Sequence, residues 1–350
     1  MNNSLAETYL KDYQKKINIV FDNYQIKKIT EAKKIGIYPK DLTEKLFEMA
    51  KLGKKIRGAL VVLGYQLGGG KKTNAIYDVS LSQELFHTGL LIHDDIMDNS
   101  NLRRGIKTIH KFYEELKSPL FGKSLAICIA DAAFYMAWEK LLDSKFSLDC
   151  IINAAKIYTK YAIRVAHGQI LDVYNNSLKN INEKDILKVM WIKSGEYSTL
   201  LPLRFGAALS GLKDRKRLTA IEKYAKCLGW AFQIKDDILG IFGDENKIGK
   251  SNLSDIKEGK FTLLMLYLLK HGNSNEIKIQ KEIFGNPKSS EKELLAMRKI
   301  LKDSNTLNYV TNLGWDYVKE GKKYIPQITK DKKIQDMLSS FLYFVMDRNS

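Results

Sequence analysis

Apolar residues recur along this chain at the three-to-four residue spacing of one helix face, and strictly alternating stretches are few. With only five prolines in 350 residues, these amphipathic runs can continue for many turns, so the pattern predicts a nearly all-helical, all-α fold. Breaks are expected at Gly68-Gly69-Gly70, from Gly243 to Ser254, and along the polar stretch from His271 to Lys292. Beyond that stretch the periodicity resumes as further helix on the same core. No internal repeat, low-complexity tract or Pro/Ser linker divides the chain. A hydrophobic content of 45% is ample for a sizeable core, and residues 1–350 read as one domain.

Two places in the pattern are chemically costly. Asp94-Asp95-Ile96-Met97-Asp98 follows the helical run from Leu81 to His93, and Asp236-Asp237-Ile238-Leu239-Gly240 follows the run from Trp230. Unpaired carboxylates are expensive inside apolar stretches, so something positive must be bound there. On a helix Asp94 and Asp98 are i and i+4 and project from one face a turn apart. Such a pair, with no adjacent lysine, suits a hard divalent cation such as Mg2+, which takes oxygen donors and shares them with phosphate. Arg103-Arg104-Gly105 offers guanidinium forks suited to phosphate oxygens, and Gly249-Lys250 and Gly259-Lys260 add lysines after the second cluster. Neither cluster has the alternating acids and closing glutamate of an EF-hand. A lone DDxxD reads as a solvated helix end; two acid clusters with several separate basic sites describe a cavity for two diphosphates bridged by metal.

The formal charge of +17 raises the question of a nucleic-acid or anionic-membrane partner. The lysines are scattered, however. Runs such as Lys213 to Arg217 and Lys330 to Lys333 contain acids and lack interleaved aromatics, which points to solvated faces and to no nucleic-acid partner. Cys128, Cys150 and Cys227 form neither a disulfide framework nor a CxxC metal site, so a reducing compartment is expected. The start, Met1 to Glu7, lacks the basic and apolar segments of a signal peptide. The longest apolar stretch, Leu125 to Trp138, is shorter than the roughly 20 residues of a membrane span. A cytoplasmic protein without a transmembrane segment is the expectation.

Taken in order, Gly53-Lys54-Lys55-Ile56-Arg57, His87 through Asp98, Arg103-Arg104-Gly105, Gly168-Gln169-Ile170-Leu171-Asp172, Lys193-Ser194-Gly195, Phe232 to Asp237 and the two Gly-Lys pairs resemble the trans-isoprenyl diphosphate synthases, or polyprenyl synthases. The resemblance runs from about Lys51 to Thr262. It implies a helical bundle of the isoprenoid synthase type around a central cavity, and a homodimer. The implied reaction is the Mg2+-dependent head-to-tail condensation of isopentenyl diphosphate with an allylic diphosphate (dimethylallyl, geranyl or farnesyl).

By the same resemblance Asp94, Asp98 and Asp236 hold the metal, three ions when substrate is bound, while Asp95 and Asp237 order waters or neighbouring lysines. Arg103, Lys193, Gln233, Lys250 and Lys260 are assigned to the allylic diphosphate, and Lys54, Arg57, His87 and Arg104 to isopentenyl diphosphate, which binds without metal. Ser194, Gln233 and the carbonyl of Lys193 would stabilise the allylic cation, and Gln169 and Asp172 would support the cavity wall. The departing diphosphate is the implied proton acceptor. The chain departs from the family pattern at Gly58, where proline is usual, and at Ser194, where threonine is usual. Gly240 replaces the third acid of the second cluster, as in some geranylgeranyl diphosphate synthases, with Asp244 a candidate water-mediated substitute.

Product length should depend on the apolar tunnel beneath Asp94. Leu90 lies one turn before Asp94, and Gly89 beside it is expected to leave room for a growing tail. Phe134, Tyr135 and Trp138 are then candidates for a deeper floor. The stretch from Asp236 to Lys260 looks most like geranylgeranyl synthases, which favours a twenty-carbon product over a farnesyl or longer one. A terpene cyclase or head-to-head condensing enzyme would not need the isopentenyl site of Lys54, Arg57 and His87. A non-catalytic partner subunit commonly lacks one acid motif, whereas both are present here.

Overall fold

The computed structural model describes residues 3–175, 182–245 and 252–348. Its regular structure is almost entirely helical, as the spacing predicts. In chain order the helices are α1 (Asn3–Ile35), α2 (Ile37–Lys51), α3 (Ile56–Leu67), α4 (Asn74–Met97), α5 (Ile109–Glu114), α6 (Pro119–Leu142), α7 (Leu148–Asn175), α8 (Glu183–Val189), a π-helix (Met190–Leu200), α9 (Leu201–Leu209), α10 (Arg215–Phe242), α11 (Leu253–Lys257), α12 (Leu263–His271), α13 (Ser274–Ile283), α14 (Glu291–Asp303), α15 (Thr306–Lys322), α16 (Ile325–Ile328) and α17 (Lys332–Asp347). A short antiparallel hairpin of β1 (Leu102–Arg103) and β2 (Ile106–Lys107) lies between α4 and α5. Contacts group the chain into two compact units, residues 7–156 with 202–212, and residues 1–6, 157–201 and 213–350.

In the unit of residues 7–156, Leu42, Leu46 and Met49 of α2 and Ile92 of α4 share a core with Ile109 and Tyr113 of α5 and with Ala126, Ile129, Ala130 and Ala133 of α6. The small side chains on α6 let it lie close against α4. That closeness corrects the expected room at Gly89. A Cβ built on Gly89 would fall 2.6 Å from Phe134 Cε1 and 2.9 Å from the Ala130 carbonyl oxygen, so the space beside Leu90 is already filled. The Phe134 ring also packs 5.5 Å from Phe86 and 5.4 Å from His93. Tyr135 is 75% exposed, turned about 100° around α6 from Phe134, so it forms no buried floor. Trp138 is half-buried.

By length and composition α6, with 24 residues, could cross a membrane. The apolar stretch from Leu125 to Trp138 lies within this longer helix, which runs from Pro119 to Leu142. Its Ala126, Ile129, Ala130 and Ala133 belong to the core of this unit, whereas Leu120, Ile127, Tyr135 and Leu142 are exposed.

Gly58, in the first turn of α3, stands where the family usually has proline. Its N–H donates to the buried Glu84 Oε1 at 2.8 Å, and a Cβ there would lie 1.9 Å from Tyr13 Oη. That phenol is 2.7 Å from Ser80 Oγ. Proline would remove the donor and overlap the ring.

In the unit of residues 1–6, 157–201 and 213–350, Ile234, Ile238 and Ile241 of α10 share a core with Leu264 and Leu268 of α12, Leu294 and Met297 of α14, and Val310 of α15. The expected loop from His271 to Lys292 contains the helix α13. Asn273 and Glu276 form a reciprocal capping box at its start, and this satisfies backbone donors well enough to sustain a polar helix.

Replacing Gly89 with Phe should therefore destabilise the α4–α6 packing by roughly 1–3 kcal/mol or more, because the Ala130 backbone cannot yield as a side chain can. Urea denaturation of the variant and the parent measures this directly. An unchanged midpoint would contradict the packing described here.

Candidate active site

The first acid cluster closes α4. Asp98 is the residue that caps the helix, its N–H donating to the Asp94 carbonyl at 2.9 Å. Carboxylates at this end of a helix face the negative pole of its dipole, so the position is unfavourable without a counter-charge. Arg103 supplies one. Arg104 (φ 54°) and Gly105 (φ 81°) are both left-handed, the conformation of a two-residue type I′ hairpin turn, and the turn fixes Arg103 on β1. Arg103 Nε donates to Asp95 Oδ1 at 2.7 Å, and its Nη2 lies 2.5 Å from Asp95 and 3.3 Å from Asp94. Asp95 is 2% exposed. Burial pushes its carboxyl up to about 6, against the opposing pull of Arg103. Asp95 Oδ2 is buried with no hydrogen-bond partner among the described residues.

A basic cluster forms separately around the end of α2. Arg104 Nη1 donates to the Leu52 carbonyl at 2.6 Å, and Lys55 Nζ to the same oxygen at 2.8 Å and to that of Ala50. These are terminal helix carbonyls, which attract cations. Gly53 admits the Arg104 guanidinium, whose Cζ would be 2.6 Å from any Cβ at that position. Arg104 Nη2 reaches His87 Nε2 at 3.2 Å. His87 is held well below the usual histidine range, first by burial and then by Arg57, Arg104, Lys55 and Arg103, so the ring is neutral and accepts from Arg104. Arg57, His87 and Arg104 are thus brought together, with Lys54 half-buried in the preceding loop. Lys55 is an addition that spacing did not single out. Burial lowers its ammonium to about 8.

In the other unit, an open pocket is lined by Asp172, Lys193, Ser194, Gln233, Asp237 and Lys260, among others. Six residues singled out from sequence thus share one wall. Lys193 and Ser194 lie on the π-helix, a rare geometry that tends to occur at functional sites. Lys193 Nζ is 2.5 Å from Asp172 Oδ2. The closeness of α7 is set by Gly168, whose Cβ would lie 2.5 Å from the Lys193 nitrogen, and Gln169 follows it, half-buried. Gln233 Nε2 donates to Asp237 Oδ1 at 2.9 Å, one turn along α10.

Asp236 points elsewhere on α10, to a partner that no sequence motif marks. Arg348, just beyond α17, places Nη2 2.5 Å from Asp236 Oδ1. Their separation of 112 positions leaves no periodic signal. Gly240 is buried in α10, and Asp244 is exposed beyond its end. Lys250 lies outside the described residues.

Among the described residues no group of three or more acids, histidines or cysteines is gathered closely enough to hold a metal ion. The donor set fits Mg2+ all the same. This ion keeps waters and phosphate oxygens and needs only one or two carboxylates per site, and the orphaned Asp95 oxygen marks a place of unsatisfied negative charge.

Residues 40–301 match the polyprenyl synthetase family model. The chain is 31% identical over 330 residues to the geranylgeranyl diphosphate synthase of Sulfolobus acidocaldarius, covering 92% of this chain and 96% of that one. It is 30% identical over 305 residues to the geranylfarnesyl diphosphate synthase of Aeropyrum pernix, covering 85% and 90%. Among solved structures, geranylgeranyl pyrophosphate synthase from Corynebacterium glutamicum, complexed with isoprenyl diphosphate and magnesium, superposes with a TM-score of 0.88 at 24% identity over 98% and 99% of the two chains. That structure shares the all-α fold.

The neutral state of His87 has a signed consequence. Below about pH 6.5 an unfolded histidine takes up a proton that folded His87 refuses, so its contribution is complete above that pH and is lost as pH falls. The slope is about 1.4 kcal/mol per pH unit until the folded value is reached. Urea unfolding of His87→Gln at pH 5, 6, 7 and 8 should show a shallower acid decline than the parent. Parallel pH profiles would exclude a buried neutral His87.

Proposed function

The chain belongs to the polyprenyl synthetase family and is a prenyltransferase that elongates isoprenyl chains, and we propose that it condenses isopentenyl diphosphate with an allylic diphosphate to give geranylgeranyl diphosphate. The observation that carries this reading is the presence of two separately built cationic sites. One is the Arg57, His87 and Arg104 cluster; the other is the pocket lined by Lys193 and Lys260. Relatives named as geranylgeranyl diphosphate synthases over most of their length support the twenty-carbon product.

In this reading Asp94, Asp98 and Asp236 would hold up to three Mg2+ ions, which when bound would supply charge neutralisation to the diphosphate leaving group of the allylic substrate. Lys193 exchanges Asp172 for diphosphate oxygens, joined by Arg103, Lys250 and Lys260. Gln233 commits its Nε2 to Asp237, which leaves its carbonyl oxygen, with the Ser194 hydroxyl and the Lys193 carbonyl, to face the allylic cation. Isopentenyl diphosphate takes the arginine cluster with Lys54, and neutral His87 adds a hydrogen bond without a further charge. The departing diphosphate accepts the final proton. Leu90, Phe134 and Trp138 shape the tail's path, with Gly89 as the seat of the Phe134 ring. Residues 1–350 act as one catalytic domain, with Asp244 standing in for the acid absent at Gly240.

A homodimer belongs to the same proposal. Leu120, Ile127, Tyr135 and Leu142 are exposed along α6, as are Ile152, Ile163, Ile170 and Tyr174 along α7. Their spacing puts each set on one side of its helix, and apolar stripes of this kind fit a second copy. The free thiols Cys128, Cys150 and Cys227 support a cytoplasmic location.

Chromatography of products formed from isopentenyl diphosphate with dimethylallyl, geranyl or farnesyl diphosphate should give mainly the twenty-carbon diphosphate. In Asp94→Ala turnover should fall a hundredfold to a thousandfold, about 2.7–4 kcal/mol of lost transition-state stabilisation. Near-normal turnover at saturating Mg2+ would remove Asp94 from the metal site. Tyr135→Glu should convert a dimer to a monomer in light scattering after gel filtration, and an unaltered mass would dissociate α6 from the interface.

A further inference from the structure

We infer that Arg348 is a positioning residue for Asp236, fixing one carboxylate oxygen so that the other is presented to metal; this rests on the reading of Asp236 as a metal ligand. The arginine is built in at several points. Its Nε donates to the Val345 carbonyl at 3.2 Å, and its Nη2 to the Phe232 carbonyl at 3.0 Å. The guanidinium lies over the Phe232 ring, 4.1 Å from its centroid. The side chain is only 7% exposed, against 38% for Asp236.

Phe232 and Asp236 are one turn apart on α10, so the same Nη2 bridges the backbone of one turn to the carboxylate of the next. That bridge selects the Asp236 rotamer. Oδ1 is occupied by the arginine, which leaves Oδ2 as the oxygen to present to metal. A cation that merely filled in for absent metal would have to leave when metal arrived. An arginine held by two carbonyls and an aromatic face is made to stay, and a planar fork can stack and bridge where a lysine ammonium cannot. Supporting hydrogen bonds of this kind commonly set the affinity of a metal-binding carboxylate.

The test is calorimetric titration of Mg2+ into the full chain with saturating inorganic diphosphate. Arg348→Met should weaken Mg2+ binding by about tenfold to a hundredfold, with Arg348→Lys between it and the parent. The double variant Arg348→Met, Asp236→Asn should bind no more weakly than Asp236→Asn alone, since both changes remove one function. Should Arg348→Met fail to fold, Phe232→Leu keeps the carbonyl and removes the stacking face, and it should lower the affinity in the same direction by less. Unchanged or tighter binding in a folded Arg348→Met or, failing that variant, in Phe232→Leu overturns the inference, as does additivity in the double variant. No Mg2+-dependent diphosphate binding by the parent chain would instead reject the assignment of the site itself.

Discussion

Everything around the first acid cluster answers one electrostatic problem, carboxylates concentrated at the negative end of α4. Asp95 is nearly inaccessible to water, where an uncompensated charge is costly. Arg103 is the local remedy, delivered by a hairpin whose tight turn holds it within reach of both Asp94 and Asp95. The compensation is incomplete, since Asp95 still has its proton affinity raised and one oxygen without a partner. An acid cluster left partly unsatisfied is poorly suited to a stable protein core and well suited to capturing a cation.

The basic cluster solves the inverse problem. Arg104 and Lys55 lie beside the carbonyls that end α2, so part of the field needed to hold an anion-binding group in place comes from the helix itself. His87 remains uncharged among them. A further cation in this small volume would raise repulsion without adding reach, whereas a neutral ring supplies hydrogen bonding and occupies space. The π-helix plays a comparable part in the other unit, where its wider turn carries Lys193 and Ser194 to the pocket wall.

Much of this was legible in the sequence because chemistry, unlike packing, dictates residue type at fixed spacing. The helical period predicts the fold class, and the motif residues Lys193, Ser194, Gln233, Asp237 and Lys260 line one pocket. What spacing could not convey was occupancy. Gly89 looked like vacant volume, since a missing side chain says nothing about the neighbour that fills it, and Phe134 is that neighbour. The polar composition of residues 273–283 concealed a helix whose stability begins with its cap. Arg103 was visible eight positions from Asp95, whereas Arg348 depended on tertiary folding to reach Asp236. Lys55 differed from Lys54 only in which side chain turns back on α2.

The seat of Gly58 also couples two positions far apart in sequence. Tyr13 occupies the place where a larger side chain at position 58 would stand, and Glu84 takes the hydrogen that proline lacks. A side chain at position 58 requires the Tyr13 phenol to shift, and with it the contact to Ser80. Substitutions at position 58 are therefore tolerated or rejected according to the residue at position 13, on a different helix.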